Sequence, residues 1–293
     1  MMIQTAPPGE PRFLCSMREH NALCGQFVRA FGNDAFERCE PHDEMVHVVS
    51  HHDYGWDEFD ASPVLDEGSG LPCGIGNAPV PGGTDTGRRS AEVNEARHLY
   101  CGLLASMHSW GLYHGRYGYS GFRVRPGGST SIPVGPGDRA GVDRMLEGEI
   151  ARQERIREAL AADPETAPWV EEAHIVQNYK QLQFFDTLAL YFNLRHETDR
   201  GVETYRCVPR DAETDAEVTL TPKGGGVYAL DPFPFAGDRL EAVCGGRYLA
   251  AYGEGEAPGD LAAALAALPT EAQAYTLVKG STHAQVAAPP GPG

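Results

Sequence analysis

What this chain lacks narrows it first. It has no run of clustered lysine and arginine, and its 24 basic against 41 acidic residues leave a formal charge of −17. Attraction to nucleic acid or to an anionic membrane surface needs clustered cations, so neither is an expected partner. No apolar stretch approaches the length of a membrane span, and residues 1–12 show no basic segment followed by an apolar run. A cytoplasmic location is expected on that basis. The seven cysteines, at 15, 24, 39, 73, 101, 207 and 244, contain no CxxC pair, and an odd count argues against a disulfide framework. They read as reduced and buried. Gly74-Ile75-Gly76 lacks the further glycine and the strand-to-helix setting of a dinucleotide site. Ser106 has no nucleophile elbow around it. No internal repeat is seen.

What is present is enough apolar material, 41% of 293 residues, for one large domain or one domain with an appendage. Leu23, Cys24, Phe27, Val28 and Phe31 recur at helical spacing and predict a helix over 19–32. Met45, Val48, Val49 and His52 predict a second over 43–53, and Leu99, Leu103, Leu104, Met107 and His108 a third over 90–110. A charged amphipathic helix is expected over 142–162 and a long apolar one over 169–194. The stretches 57–88 and 126–137, rich in glycine and proline, read as long loops. After Arg200 the pattern changes to alternation, as in Glu217-Val218-Thr219-Leu220-Thr221 and Gly226-Val227-Tyr228-Ala229-Leu230. The expected fold is therefore mainly α over 1–198, with a small antiparallel β appendage over 199–286, α+β overall. Residues 287–293 read as a disordered tail.

Residues three and four apart on a helix share a face, so the surroundings of each polar side chain can be counted off. His20 neighbours Leu23 and Cys24, and His52 neighbours Val48 and Val49. His108 neighbours Leu104, Ala105 and Leu112, and Asp186 neighbours Leu182, Gln183, Ala189 and Leu190. All four face an apolar interior, where an ionised or polar group must be paired, protonated or bound to something. The adjacent pair His52-Asp53 can chelate one hard or borderline metal ion, and facing helices of a bundle are a common place to build such a site. A lone core histidine is more often simply hydrogen-bonded, and Asp186 could pair with Tyr179 or an arginine. It is the coincidence of these residues that points to a metal.

The order His, His-Asp, His, Asp across successive helices resembles the HD-domain superfamily of metal-dependent enzymes. More closely, His52-Asp53-Tyr54-Gly55-Trp56, followed by Pro63, Leu65-Asp66, Gly70 and Pro72, resembles a bacterial HD-like family with an HDxGW motif, known only as a domain of unknown function. Leu104-Ala105-Ser106-Met107-His108, Phe185-Asp186-Thr187-Leu188-Ala189-Leu190-Tyr191 and Asp231-Pro232-Phe233-Pro234-Phe235 extend that resemblance over most of the chain. It implies an HD-like helical bundle in which His20, His52, Asp53 and Asp186 hold a first metal, with His108 serving a second metal or the substrate. Binuclear members use a fourth histidine. His114 is preferred for it here, with His98 the alternative. Trp56 stands where many members carry a lysine that contacts substrate, which removes a charge from that position. Arg116, Arg123 or Arg125 could supply one instead. Trp56, Tyr179 and Gln183 are further candidates to line the pocket or orient ligands.

These observations lead to a metal-dependent enzyme acting on a small molecule, with iron favoured and manganese or zinc as alternatives. The first expectation is a non-haem di-iron oxygenase acting on a small polar metabolite. The second is a metal-dependent phosphohydrolase, and the third a non-enzymatic binding protein whose inward polar groups only hydrogen-bond one another. Nothing in the sequence fixes the oligomeric state, and a homodimer remains open.

Overall fold

The computed structural model describes residues 1–78, 80–124 and 128–280. Arg125, part of the stretch 126–137 and the tail 287–293 lie outside the described residues. Helix α1 (Met17–Ala30) starts on a capping box. Glu19 N–H donates to Ser16 Oγ at 3.2 Å, and the Glu19 carboxylate accepts from Ser16 N–H at 2.6 Å. Helix α2 (His42–Val49) follows, then a 3-10 turn (Tyr54–Trp56) and a short helix α3 (Asp57–Ala61). Two long helices, α4 (Val80–Arg97) and α5 (Leu99–Tyr113), are separated only by His98, whose extended backbone caps α5. Helices α6 (Arg139–Ala161) and α7 (Glu172–Leu194) complete the long elements. α1, α2, α5 and α7 pack on one another.

The sheet corrects the expectation of a mainly α bundle with a small antiparallel appendage. It has seven strands and is mixed, and it curls into a half-barrel in a chain that is 45% helix and 21% strand. Two of its strands come from the other end of the sequence, β1 (Met2–Ile3) and β2 (Arg12–Cys15). A hairpin, β3 (Leu65–Asp66) with β4 (Leu71–Pro72), stands apart from it. The remaining strands are β5 (Glu203–Pro209), β6 (Asp215–Gly224), β7 (Val227–Asp231), β8 (Arg239–Leu249) and β9 (Glu271–Lys279), and α8 (Leu261–Ala266) precedes the last. Their order is β1-β2-β8-β9-β7-β6-β5, antiparallel except for the parallel pair β7/β9. Because β2 pairs with β8, with Arg12 opposite Leu249, the sheet crosses the expected boundary at 198/199.

One face of this sheet receives α1 against β8 and α7 against β5. Phe27, Phe31, Phe185, Phe192, Phe235 and Tyr275 fill the layer between helices and strands, all 3% exposed or less. Burying so much aromatic surface is the main stabilising term and fixes α1 and α7 side by side.

The stretch 57–88 is also more ordered than expected. It holds α3, the β3/β4 hairpin and the start of α4. Glycines 82, 83 and 87 give this start a poor intrinsic helix propensity, and packing of α4 along α5 overrides it. Pro81 falls in the first turn, where a missing N–H costs nothing. Among the described residues no helix is long and apolar enough to cross a membrane.

Candidate metal centre

Four elements bring the imidazoles and carboxylates together. His20 lies in the first turn of α1, His108 in the second half of α5 and Asp186 in the middle of α7. His52 and Asp53 sit in the turn after α2, which is pinned against α4. Asn94 Nδ2 donates to His51 O at 2.9 Å and Gly55 N–H donates to Ser90 Oγ at 3.0 Å. Gly55 is required there, because a Cβ would stand 2.0 Å from the Thr86 carbonyl oxygen. His20, His52, His108 and Asp186 are 2% exposed or less, and Asp53 is 9% exposed.

Hydrogen bonds on the far side of two rings fix where their lone pairs point. The carbonyl of Val49 can only accept, so His52 carries its proton on Nδ1, 2.9 Å away. Asn193 Nδ2 donates to Cys244 Sγ at 3.2 Å, which turns Asn193 Oδ1 toward His20 Nδ1 at 2.9 Å and places that proton on Nδ1 too. Both Nε2 atoms therefore present lone pairs when the rings are neutral. Both face the same oxygen, Asp186 Oδ1, at 3.2 Å from His20 and 3.8 Å from His52. His52 Nε2 is also 3.5 Å from Asp53 Oδ2 and has no hydrogen-bond partner of its own.

Lone pairs aimed at carboxylates repel unless something positive lies between them. A divalent ion with bonds of about 2.1 Å holds neighbouring ligand atoms about 3.0–3.4 Å apart, close to these separations. Imidazoles whose Nδ1–H is held by a carbonyl are also the usual arrangement around protein-bound metals. Among the described residues the ligand atoms of His20, Cys24 and His52, and those of His52, Asp53 and His108, lie within 4.8 Å of one another, close enough to share a divalent ion such as iron, manganese or zinc, and Asp186 Oδ1 stands beside His20 and His52.

Without a metal the charges balance through a proton instead. Burial pushes the Asp186 carboxyl up, but Arg116, His20 and His52 outweigh it and hold it well below the ordinary carboxylate range. Burial likewise opposes ionisation of Asp53, and His52 and His108 reverse that. Burial pulls His52 down, yet Asp53 and Asp186 carry it up to about 9. In metal-free protein the positive charge between these groups is therefore a proton on His52.

Arg116 completes the centre, in a role that the sequence did not reveal. It follows α5 with a left-handed backbone (φ 54°), which turns its side chain inward. Its guanidinium donates to Asp186 Oδ2 at 2.6 Å and to Gln183 Oε1, so it is a partner of the Asp186 carboxylate and not a free cation. It also lines a cavity of about 440 Å³ together with Ile75, Leu112, Phe122 and Val124. Cys24, one turn after His20, lies 3.6 Å from His20 Nε2. Its thiol donates to Phe185 O at 3.7 Å, and burial raises it well above its ordinary pKa, so without a metal it stays a thiol. Asn193, two turns beyond Asp186 on α7, was also missed.

Other expected site residues lie elsewhere. α5 ends at Tyr113, so His114 swings out to solvent, stacked on Trp110 with ring centroids 3.5 Å apart. His98 is the cap of α5, its Nδ1 accepting from Tyr100 N–H at 3.1 Å. Neither supplies a fourth imidazole. Trp56 packs edge-on against Phe59 at 5.3 Å. Tyr179 is buried, but its hydroxyl has no hydrogen-bond partner and fills the space a Cβ on Gly111 would take. Gln183 does join the centre. Its Nε2 contacts His108 Nδ1 at 3.1 Å, and His108 Nε2 faces Asp53 Oδ1 at 3.7 Å.

Comparison with known proteins adds one finding. The model of a family described as Protein of unknown function (DUF3891) matches residues 2–251, which takes in every residue of this centre. No curated protein and no solved structure matches the chain.

Proposed function

The chain belongs to the family of unknown function DUF3891, and for this member we propose a metal-dependent hydrolase with a single divalent ion on His20, His52, Asp53 and Asp186. One observation carries the reading: two buried imidazole lone pairs converge on one carboxylate oxygen at 3.2 and 3.8 Å. The same residues would be the ligand set of an HD-like centre, so kinship with that superfamily is part of the proposal. When bound, the ion would supply Lewis-acid activation of a water or of the substrate. The chain's own residues bind and orient. Arg116 holds Asp186 in place through Oδ2 and leaves Oδ1 for the ion. The cavity that Arg116 lines is of a size for a small molecule, with Ile75, Leu112, Phe122 and Val124 in its wall beside the hydroxyl residues Ser129, Thr130 and Ser131.

Di-iron oxygenation is the second reading. Arg116 is already engaged by Asp186 and Gln183, which leaves a phosphate group without a committed cation and favours a substrate of another kind. Against it, a second iron needs ligands that His98 and His114 do not bring to the centre. Metal analysis with two turnover assays separates the readings. One divalent ion per chain, with hydrolysis of carboxylic or phosphate esters that is lost in His52→Ala, is the expected result. Two irons per chain with oxygen consumption would replace it by the oxygenase. Protein that binds no metal and keeps its full stability in chelator would overturn both.

A further inference from the structure

We infer that Arg116 and Gln183 lock His108 in the tautomer opposite to that of His20 and His52, so that it serves the centre as a hydrogen-bond donor and not as a metal ligand. The second half of this statement rests on the metal reading above; the first does not. A guanidinium has only N–H groups to offer, so the Gln183 amide atom facing Arg116 must be the oxygen. The amide nitrogen is thereby turned toward His108 Nδ1, 3.1 Å away, and donates to it. A nitrogen that accepts this bond carries no proton. The one proton of the neutral ring is then on Nε2.

That Nε2–H faces Asp53 Oδ1 at 3.7 Å, on the carboxylate oxygen other than the one nearest His52. The ring stands edge-on to His52 with centroids 4.8 Å apart, inside the same enclosure. Protonating Nδ1 as well would set two N–H groups against each other, so the relay also keeps the imidazole neutral. The three rings thus divide by what lies behind them. A carbonyl behind His52 and an amide oxygen behind His20 free Nε2 for a metal, whereas an amide N–H behind His108 closes that option. What His108 offers instead is a donor for Asp53 or for an oxygen atom of a ligand in the centre. Arg116 and Gln183 act through it and are positioning residues.

The direct test is nitrogen NMR on metal-free protein labelled at histidine, with the His108 signals assigned by their loss in His108→Gln. The expected spectrum has Nε2 protonated and Nδ1 bare; the reverse would overturn the inference. Zinc titration reads the second half. Wild type and His108→Gln should each take one zinc per chain, and loss of zinc in His108→Gln would overturn the donor assignment. Gln183→Glu supplies an acceptor in place of the amide N–H. It should invert the His108 tautomer and raise zinc affinity at least tenfold or add a second zinc. A Gln183→Glu protein with the wild-type tautomer and zinc binding would overturn the relay. If wild type binds no zinc, the metal reading and the second half fall together, while the spectrum still decides the tautomer.

Discussion

Two buried polar clusters lie close along the chain, one around Asp186 in α7 and one around Arg200 just beyond its end, and they solve burial in opposite ways. Arg200 donates to Arg195 O at 2.9 Å, Tyr228 Oη at 2.7 Å, Phe192 O at 3.1 Å and Gln273 Oε1 at 3.3 Å. Its guanidinium also lies over the rings of Phe192, Tyr228 and Tyr275, 5.1–5.8 Å from their centroids. Every partner is a neutral acceptor or an aromatic face, and no added ion is called for. Around Asp186 the partners are charged and titratable, with two imidazole Nε2 atoms facing carboxylate oxygens so that a proton or an ion must stand between them. A cluster of fixed neutral acceptors holds a fold together; one that needs an exchangeable positive charge can exchange it for a metal.

The largest expected effect comes from breaking the satisfied cluster. Arg200→Leu removes the donors to Arg195 O and Tyr228 Oη and one of the two donors to Phe192 O, and should cost roughly 3 kcal/mol, or about 6–12 °C in Tm. Thermal melts with and without zinc should show the same loss, since the centre is untouched. A loss that zinc abolishes would mean the two clusters are one.

The converse experiment sharpens the contrast. Divalent metal at about 100 times its Kd should stabilise the folded protein by about 2.7 kcal/mol. His52→Ala should remove that gain while Arg200→Leu keeps it. Calorimetric scans of the three proteins check this, and an equal metal shift in His52→Ala would remove His52 from the ligand set.

How far the sequence showed the two clusters differs for a physical reason. Helical periodicity places His20, His108 and Asp186 on inward helix faces, and all three are buried there; His52 is buried too, but in the turn after α2, which ends at Val49 and not at 53 as the count had it. Counting stops where a helix stops. It carried His114 past the end of α5, and it could not choose among Arg116, Arg123 and Arg125 or join one of them to Asp186, because the left-handed backbone that turns Arg116 inward obeys no period. The sheet was harder still. β1 and β2 are two and four residues long and pair at the opposite end of the sequence. β5 breaks its own alternation at Cys207, where φ is 58° and the register with β6 shifts. Arg200 has meaning only once β7 and β9 supply Tyr228 and Gln273, so its cluster was invisible until the sheet was known.

A smaller effect separates ligand from support. Asn193→Leu removes the acceptor behind His20 Nδ1 without touching a ligand atom. Such losses behind a ligating imidazole usually weaken metal binding about 10–100-fold, about 1.4–2.7 kcal/mol. Zinc titration should show that drop with stoichiometry unchanged. Wild-type affinity would make the Asn193–His20 contact merely part of the packing.

The smallest effect concerns pH, where the two clusters should part again. In metal-free protein the carboxylates hold His52 up to about 9, above the ordinary imidazole value of about 6.5. A raised pKa means the protonated form contributes stability that is fully present below about 6.5 and lost as pH rises through about 9. Metal must displace that proton, so its apparent affinity should climb about tenfold per pH unit toward about 9 and then level off. Zinc titrations at several pH values would give this slope of one proton. Arg200, whose partners are neutral acceptors and rings, has no carboxylate or imidazole in its cluster to titrate in this range, so the metal-independent stability it supports should not follow that curve. A flat zinc affinity between pH 7 and 9 would mean that proton and metal do not compete for the same lone pair, and that the repelling geometry around Asp186 is relieved in some other way.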